Sequence, residues 1–371
     1  MAGDAETIGV EEEFFLVDRN GLLVQRAPEA LDAADAADSD LKPELLRCQV
    51  ESATGVCGTG PELYQELTGL RAQLARGATR NGALLAASGT VVHQQPGDLP
   101  IGPGTRYHRI GEHFGRIVFG NLVCGCHVHV GVADRAVALE VSNHLRPWLP
   151  VLMALSANSP FLEGRDTGYA SSRHVIYSRW PSAGPPPYLE SVGHYEAILA
   201  GLLETGAALD RKMIYWDIRP SEHQPTLEVR IPDVLGTVRE ATLVAVLVRT
   251  LVRTALDAVT HGVAAPRLPT EVVRAGLWRA AKDGLEGRCP DPETGKARPV
   301  LAIVDDLVRA NHARLAEAGE LDLTVSTVDW LRREGGGAAR QRRAYAAGGR
   351  LDDVLGEISE EAEPGHTGPG A

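Results

Sequence analysis

Polar and apolar residues alternate in several short segments of the chain, which is the pattern of β-strands. Strands are predicted over residues 8–17, 48–56, 127–132, 216–219 and 226–231. In the last three the alternation is strict, as in a strand with one covered face. Leucines three or four apart after Pro61 predict a long helix, another is predicted over residues 238–259, and several more follow Thr270. Strands and helices together indicate an α+β fold.

The polar positions of these strands are unusual for a face exposed to water. Instead of serine, lysine and threonine, the three alternating strands carry His127 and His129, Asp217 and Arg219, and Glu228 and Arg230. If the strands form one antiparallel sheet, its other face presents apolar residues to the helices, namely Val128, Val130, Trp216, Ile218, Leu227, Val229 and Ile231. One face of the sheet is thus predicted to collect histidines, carboxylates and arginines.

The first strand adds more acid to that face. Glu11 and Glu13 are two residues apart, so they share a face with Cα atoms about 6.7 Å apart. Several carboxylates on one face repel one another unless a cation neutralises them. Ligand sets rich in oxygen, with one imidazole, suit magnesium or manganese better than zinc. Two or three such ions bridging the phosphates of ATP would account for the density of carboxylates on this face. The arginines would then hold the transferred phosphate.

Composition narrows the class of protein and its partners. With 371 residues, 44% of them hydrophobic, the chain can bury a large core. We expect a single catalytic domain over residues 1–360 and a disordered tail over residues 361–371. The net charge of -12 argues against nucleic acid and anionic membranes as partners. No apolar run approaches the roughly 20 residues that span a bilayer.

Cysteine usage and the amino-terminal segment indicate a cytoplasmic protein. The five cysteines are an odd number without the dense spacing of a disulfide scaffold. The first seven residues are acidic and lack the apolar core of a signal peptide. Cys124 and Cys126, beside the histidines, are interpreted as small buried residues and not as zinc ligands. The Pro/Gly-rich segments 97–104 and 180–187 are expected to be loops.

Seven short motifs occur in one order along the chain. They are Gly9-Val-Glu-Glu-Glu13, Glu51-Ser-Ala-Thr-Gly-Val-Cys57, Gly125-Cys-His-Val-His-Val-Gly131, Ala157-Asn-Ser-Pro160, Ser171-Ser-Arg173, Trp216-Asp-Ile-Arg-Pro220 and Glu228-Val-Arg230. Each motif alone is weak, but the ordered set is specific. In these motifs the chain resembles the glutamate–cysteine ligase type 2 family, also called carboxylate–amine ligases.

The resemblance implies a fold and a reaction. The fold would be similar to glutamine synthetase, with a curved, mostly antiparallel sheet lining the site, helices behind it and a helical C-terminal region. The reaction would be ATP-dependent and would join glutamate, or a similar acid, to an amine. An acyl phosphate would be the intermediate, Mg²⁺ or Mn²⁺ would be required, and ADP and phosphate would be released. A homodimer is left open.

The resemblance also implies roles for individual residues. The metal ligands would be Glu11, Glu13, Glu44, Glu51, His127 and Glu228. His129 would contact phosphate or substrate, and Arg230 would bind phosphate and stabilise the moving phosphoryl group. Arg219 and Arg173 resemble basic residues that contact the nucleotide phosphates or the acid substrate.

Two positions depart from the common family pattern. Family members often have Gly-Thr-His-Pro where this chain has Gly89-Thr-Val-Val-His93, and a proline where His174 follows Arg173. Neither change removes a metal ligand. We expect both to touch the amine pocket, so cysteine is expected to be a poor acceptor.

Two other functions fit part of the pattern. A metal-dependent hydrolase could use His127 and His129 as a zinc pair, but barrel hydrolases need repeated strand–helix units, and the chain after Ile231 is nearly all helical. A non-catalytic sensor of nucleotide or amino acid is the other alternative. Release of ADP would distinguish the ligase from both.

Overall fold

The sheet is built from strands that are far apart in the chain. The computed structural model describes residues 7–34, 40–95, 97, 99–102 and 104–360. Its strands are β1 (Ile8–Val17), β2 (Asp40–Pro43), β3 (Gln49–Ala53), β4 (Leu84–Ala86), β5 (Cys126–Gly131), β6 (Phe161–Leu162), β7 (Arg165–Asp166), β8 (Ile218–Pro220), β9 (Thr226–Val229), β10 (Arg288–Pro290), β11 (Ala297–Pro299) and β12 (Ser359–Glu360). Eight of these form the main sheet, in the order β12-β4-β1-β5-β9-β8, with β3 paired to β1 and β2.

Helices cover the back of this sheet and form most of the C-terminal half. They are α1 (Ala27–Ala33), α2 (Gly60–Arg80), α3 (Thr105–Phe114), α4 (Arg116–Phe119), α5 (Arg135–Leu145), α6 (Leu149–Ser156), α7 (Ser172–Tyr177), α8 (Val192–Glu204), α9 (Val238–Thr260), α10 (Thr270–Asp283), α11 (Val300–Ala310), α12 (His312–Glu317), α13 (Leu321–Glu334), α14 (Gly337–Gly348) and α15 (Leu351–Ile358). Among the described strands, every named pairing is antiparallel. The predicted α+β fold is confirmed.

Local sequence explains where the two long helices begin. Thr59 caps α2, because its hydroxyl accepts a hydrogen bond from the backbone N–H of Glu62 and the Glu62 carboxylate accepts one from the backbone N–H of Thr59. Pro61 occupies the first turn. Thr237 caps α9 in the same way through the N–H of Glu240. The leucines of α2 then face the sheet and are buried, as predicted.

The largest core lies between the sheet and these helices. Val10, Val128 and Val229 of adjacent strands are fully covered there by apolar residues of α5, α6 and α9. Trp216 was predicted on the face that meets these helices, and this prediction is wrong because Trp216 does not join this core. It precedes β8 and packs instead in a separate cluster beside α8, with its ring 6.1 Å from that of Tyr195.

Several boundaries differ from the prediction. β3, β8 and β9 are shorter than predicted, and short strands interrupt the helical C-terminal half.

All five cysteines are buried free thiols, in agreement with the interpretation of Cys124 and Cys126. Within the described ranges, no helix combines the length and apolar character that crossing a membrane requires. The predicted tail, 361–371, lies outside the described residues, as do parts of the predicted loop 97–104.

Candidate active site

Strand register brings the predicted site residues onto one face of the sheet. Glu11 of β1 lies opposite His127 of β5. His129, two residues further along β5, lies opposite Glu228 of β9. Glu228 in turn lies opposite Arg219 of β8. The predicted polar face is therefore confirmed, since alternation along each strand aims these side chains to the same side.

A first group of possible ligands is formed by Glu11, His129 and Glu228. Each offers one ligand atom, and the three atoms lie within 4.8 Å of one another. Nδ1 of His129 is 2.9 Å from the hydroxyl of Thr226, which fixes the ring. Its Nε2 is buried, has no hydrogen-bond partner in the described part of the chain, and lies 3.6 Å from a Glu11 oxygen. A cation held by one imidazole and two carboxylates fits this arrangement.

A second group consists only of carboxylates. Glu13, Glu44 and Glu51 also place one oxygen each within 4.8 Å of one another. Backbone N–H groups hold two of them, because Gly125 donates to Glu13 and Leu45 donates to Glu44, each at 2.7 Å. Three hard oxygen donors suit magnesium or manganese.

Electrostatics shows that the two groups differ in charge balance. Burial and the neighbouring carboxylate of Glu44 raise the pKa of Glu51 well above its usual range. Burial also opposes ionisation of Glu11, but the neighbouring imidazoles of His127 and His129 outweigh it and hold the pKa of Glu11 far below its ordinary value. The second group therefore has the greater need of an added cation.

His127 lies between the groups and belongs to neither. Its Nδ1 is 3.1 Å from Glu11, and its Nε2 is 3.8 Å from Glu13. Nδ1 is also 3.4 Å from a guanidinium nitrogen of Arg230. Burial and the charge of Arg230 lower the pKa of His127, which favours the neutral ring. The structure thus groups His129, and not His127, with Glu11 and Glu228.

Two arginines share the carboxylate of Glu228. Arg230 Nη1 contacts one oxygen, and Arg219 Nε donates to the other at 2.8 Å. Burial would raise the pKa of Glu228, but Arg230 and then Arg219 hold it far below its usual value. Arg219 also donates from Nη1 to the carbonyls of Ile214 at 2.8 Å and Lys212 at 3.1 Å, so backbone occupies much of its guanidinium.

Arg173 is more deeply embedded than the sequence suggests. It is 2% exposed and donates to the carbonyls of Ile231 at 3.1 Å and Arg230 at 3.3 Å. It also lies 3.8 Å from the carboxylate of Asp233. A Cβ at Gly125 would come within 2.2 Å of its guanidinium, which explains the glycine at that position. These contacts indicate that Arg173 positions the segment that carries Arg230.

The groups open into a cleft of about 200 Å³ that the sequence only partly revealed. Its far wall is aromatic, with ring centroids 5.3 Å apart between Trp180 and Tyr215 and 5.7 Å apart between Tyr177 and Tyr215. Tyr107 and Asn121 line it too. Both amide atoms of Asn121 and the hydroxyl of Tyr177 are buried without hydrogen-bond partners in the described residues. Of this wall, the sequence predicted only the loop over residues 180–187, which begins with Trp180.

The positions that depart from the family pattern lie elsewhere. Val91 and Val92 are buried in the core beside β4 and do not line the cleft. His174 is also absent from its lining, and burial and Arg173 lower its pKa to about 4. The expectation that these residues touch the amine pocket is therefore wrong for the cleft described. A larger cavity, about 380 Å³, lies between α5, α9 and α11 and contains none of the predicted site residues.

Known proteins resemble this chain over nearly its whole length. A relative from Rhodococcus jostii (strain RHA1), named provisionally as glutamate–cysteine ligase 2-1, is 46% identical over 358 residues, which cover 96% of each chain. A relative from Nocardia farcinica (strain IFM 10152) with the same provisional name is 42% identical, over 99% of this chain and 97% of its own.

Solved structures show the same fold at low identity. A glutamate–cysteine ligase from Francisella tularensis, solved in complex with AMP, aligns with a TM-score of 0.65 at 13% identity, covering 95% of this chain and 87% of its own. A bifunctional glutathione synthetase from Pasteurella multocida aligns with a TM-score of 0.67 at 14% identity. The alignment covers 95% of this chain but only 51% of that protein.

The family model described as glutamate–cysteine ligase family 2 matches residues 7–362. This match and the relatives confirm the resemblance predicted from the seven motifs. They also confirm an enzyme of the ligase class that forms a carbon–nitrogen bond, and they count against the hydrolase alternative. The chain therefore belongs to glutamate–cysteine ligase family 2.

Proposed function

We propose that the protein is an ATP-dependent carboxylate–amine ligase that forms an amide bond, with glutamate as the acid and its γ-carboxylate as the reacting group. The observation that carries the proposal is the shared face of the sheet, where two groups of ligand atoms lie beside Arg230. Family membership supports the reaction class. The AMP complex of the Francisella ligase supports a nucleotide substrate.

In the proposed enzyme, the two ligand groups would hold Mg²⁺ or Mn²⁺. One group is Glu11, His129 and Glu228, and the other is Glu13, Glu44 and Glu51. Bound ions would neutralise the phosphates of ATP and favour transfer of the terminal one. His127 would keep Glu11 in place through Nδ1, and Glu228 would hold Arg230 at the edge of the first group.

The reaction would proceed in two displacements. An oxygen of the substrate carboxylate attacks the γ-phosphorus of ATP, the bond to the β-phosphate oxygen breaks, and ADP leaves. The nitrogen of the amine then attacks the acyl phosphate carbonyl, phosphate leaves, and the nitrogen loses a proton. Arg230 would stabilise charge on the phosphoryl oxygens, since its planar guanidinium can hold two oxygens at once. The chain need supply no nucleophile, because positioning can account for much of the barrier reduction.

Amine-dependent release of ADP tests the proposal directly. Purified protein with ATP, Mg²⁺ and glutamate is offered a panel of amino acids and simple amines, and ADP is measured by a coupled assay. We expect turnover with at least one amine, and a stoichiometric amide product by mass spectrometry. Glu11→Gln should abolish it.

The matched control is Glu190→Gln, which removes an exposed carboxylate that pairs with Arg267 away from the cleft. It should retain full activity. ATP binding without ADP release for any acid and amine would favour the sensor alternative. Product formation without ATP consumption would contradict the ligase mechanism.

A further inference from the structure

The arginines that line the cleft are already paired with protein groups. Arg106 of α3 binds Asp210 through two hydrogen bonds, with Nε 2.9 Å and Nη2 3.1 Å from the carboxylate oxygens. Arg219 and Arg230 share Glu228, as described above. Arg106 is therefore matched by one carboxylate, while Arg219 and Arg230 share a single carboxylate beside the first ligand group.

Lys212 is the exception. It is exposed, it lines the same cleft, and no ion pair of its ammonium occurs in the part of the chain that the structure describes. The sequence contains four lysines, and among the cleft residues the cations other than Lys212 are arginines. A flexible stem with three donors on a compact charge suits a carboxylate that differs in position from one substrate to another.

The backbone of Lys212 is held in place, whereas its side chain has no ion pair among the described residues. It lies in a short 3-10 turn, Arg211–Met213. Its carbonyl accepts a hydrogen bond from Arg219 Nη1 at 3.1 Å, so the turn is tied to the arginine that binds Glu228. Its neighbour Arg211 is anchored by Glu222 at 2.8 Å. The backbone that carries the Lys212 side chain is thus held in place beside the cleft.

We propose that Lys212 binds the non-reacting carboxylate of the acid substrate and so selects dicarboxylic amino acids. This inference rests on the proposed function. The choice of Lys212 follows from the balance of charges in the cleft. The glutamates of the two ligand groups require cations of their own, Arg106 is matched by Asp210, and Arg230 is proposed to hold the phosphoryl group. A second substrate carboxylate entering the cleft therefore finds Lys212 as an available counter-charge.

The test compares Lys212→Met with wild type in the ADP assay. We expect the KM for glutamate to rise about tenfold, the size of a lost hydrogen bond to a charged group. The KM for ATP and kcat should stay within about twofold, because the contact is made equally in the ground and transition states. Lys212→Arg, which keeps the charge, should recover most of the affinity.

Lys296→Met is the matched control. Lys296 is exposed in the turn between β10 and β11 and does not line the cleft, so the variant loses the same charge without touching the site. Its kinetic constants should equal those of wild type. A parallel rise of the glutamate KM in this variant would assign the effect to net charge and overturn the proposal.

A second probe tests which of the two carboxylates of glutamate Lys212 binds. 4-Aminobutyrate keeps the reacting carboxylate of glutamate and lacks the other, and its inhibition constant is measured against glutamate. Lys212→Met should leave this constant unchanged within about twofold. An equal loss for both ligands, or a rise in the KM for ATP in place of that for glutamate, would overturn the proposal. Failure of the proposed function is distinct from either result, because wild type would then release no ADP with glutamate.

Discussion

Glu12 stands between two glutamates of the site, yet its side chain lies on the other face of β1. It is 0% exposed, and its partner Arg71 of α2 is 1% exposed. Arg71 donates from Nε to one carboxylate oxygen at 2.9 Å and from Nη2 to the other at 2.6 Å. Glu12→Gln therefore removes the carboxylate that pairs with this buried guanidinium while Glu11 and Glu13 stay in place. We predict a loss of stability with the site itself intact.

The magnitude follows from the contacts that are lost. Breaking a buried ion pair by removing one partner costs about 3–5 kcal/mol. Arg71 keeps a hydrogen bond to the carbonyl of Leu235 at 2.9 Å, and the glutamine amide retains one acceptor. The lower end of the range, about 3 kcal/mol, is therefore expected. The double variant Glu12→Leu/Arg71→Met removes both charges and should cost less than either single change.

Urea unfolding followed by circular dichroism, together with ADP release, measures both effects. Glu11→Gln is the control, since it changes a neighbouring glutamate on the site face. It should abolish turnover and lower the free energy of unfolding by less than Glu12→Gln does, because its partner His127 favours the neutral ring and no buried guanidinium loses a carboxylate. Glu12→Gln should lower the free energy of unfolding by about 3 kcal/mol and, below its unfolding transition, keep near-normal turnover. Wild-type stability with lost turnover in Glu12→Gln would refute the assignment of Glu12 to the core face.

Three further results are expected. Glu13→Gln and Glu228→Gln should each lower turnover at least about 100-fold in protein that remains folded without urea, with activity supported by Mg²⁺ or Mn²⁺ and no stoichiometric zinc by elemental analysis. Glu228→Gln should also lower the urea midpoint, because Glu228 is buried and pairs with Arg219 and Arg230. Near-normal turnover in both variants would exclude them as ligands. Arg230→Lys should reduce kcat at least about 100-fold because it loses the planar fork, and a rate within a few fold of wild type would make Arg230 structural. Burial raises the pKa of Asp217 to about 7 from 3.8, so the folded protein retains a proton that the unfolded chain releases, and stability falls as pH rises towards 7. Asp217→Asn should therefore gain about 3 kcal/mol relative to wild type between pH 5 and pH 8, measured by urea unfolding, and a constant difference would contradict the buried, protonated carboxyl.

The polar face could be predicted from the sequence because strand alternation is a local property. Glu11 and Glu13 share a face whatever the rest of the chain does, and the same holds for His127 and His129. The apolar neighbours of each strand showed which face meets the helices. Helix α2 could be predicted for the same reason, because its leucines and Pro61 are local signals.

The partition of ligands between two groups depends on strand register, which local signals do not fix. His129 joins Glu11 and Glu228 because β9 pairs with β5 two residues beyond His127. A register shifted by two residues would have placed His127 there instead, with the same alternation and the same buried valines. The aromatic wall has a similar origin, since Tyr177 and Tyr215 are brought together only by the packing of α7 against the segment before β8.

Residue type alone does not separate the site from the scaffold in this protein. Glu12 with Arg71 and Glu228 with Arg219 are chemically the same pair, and each makes an arginine Nε hydrogen bond of 2.8–2.9 Å. They differ in what surrounds them. The first pair is buried between β1 and α2, where each charge is matched by the other. Glu228 lies beside Glu11 and His129, with ligand atoms close enough to share a cation. The same ion pair therefore stabilises the fold on one face of the sheet and, on the other, holds a carboxylate and a guanidinium ready for chemistry.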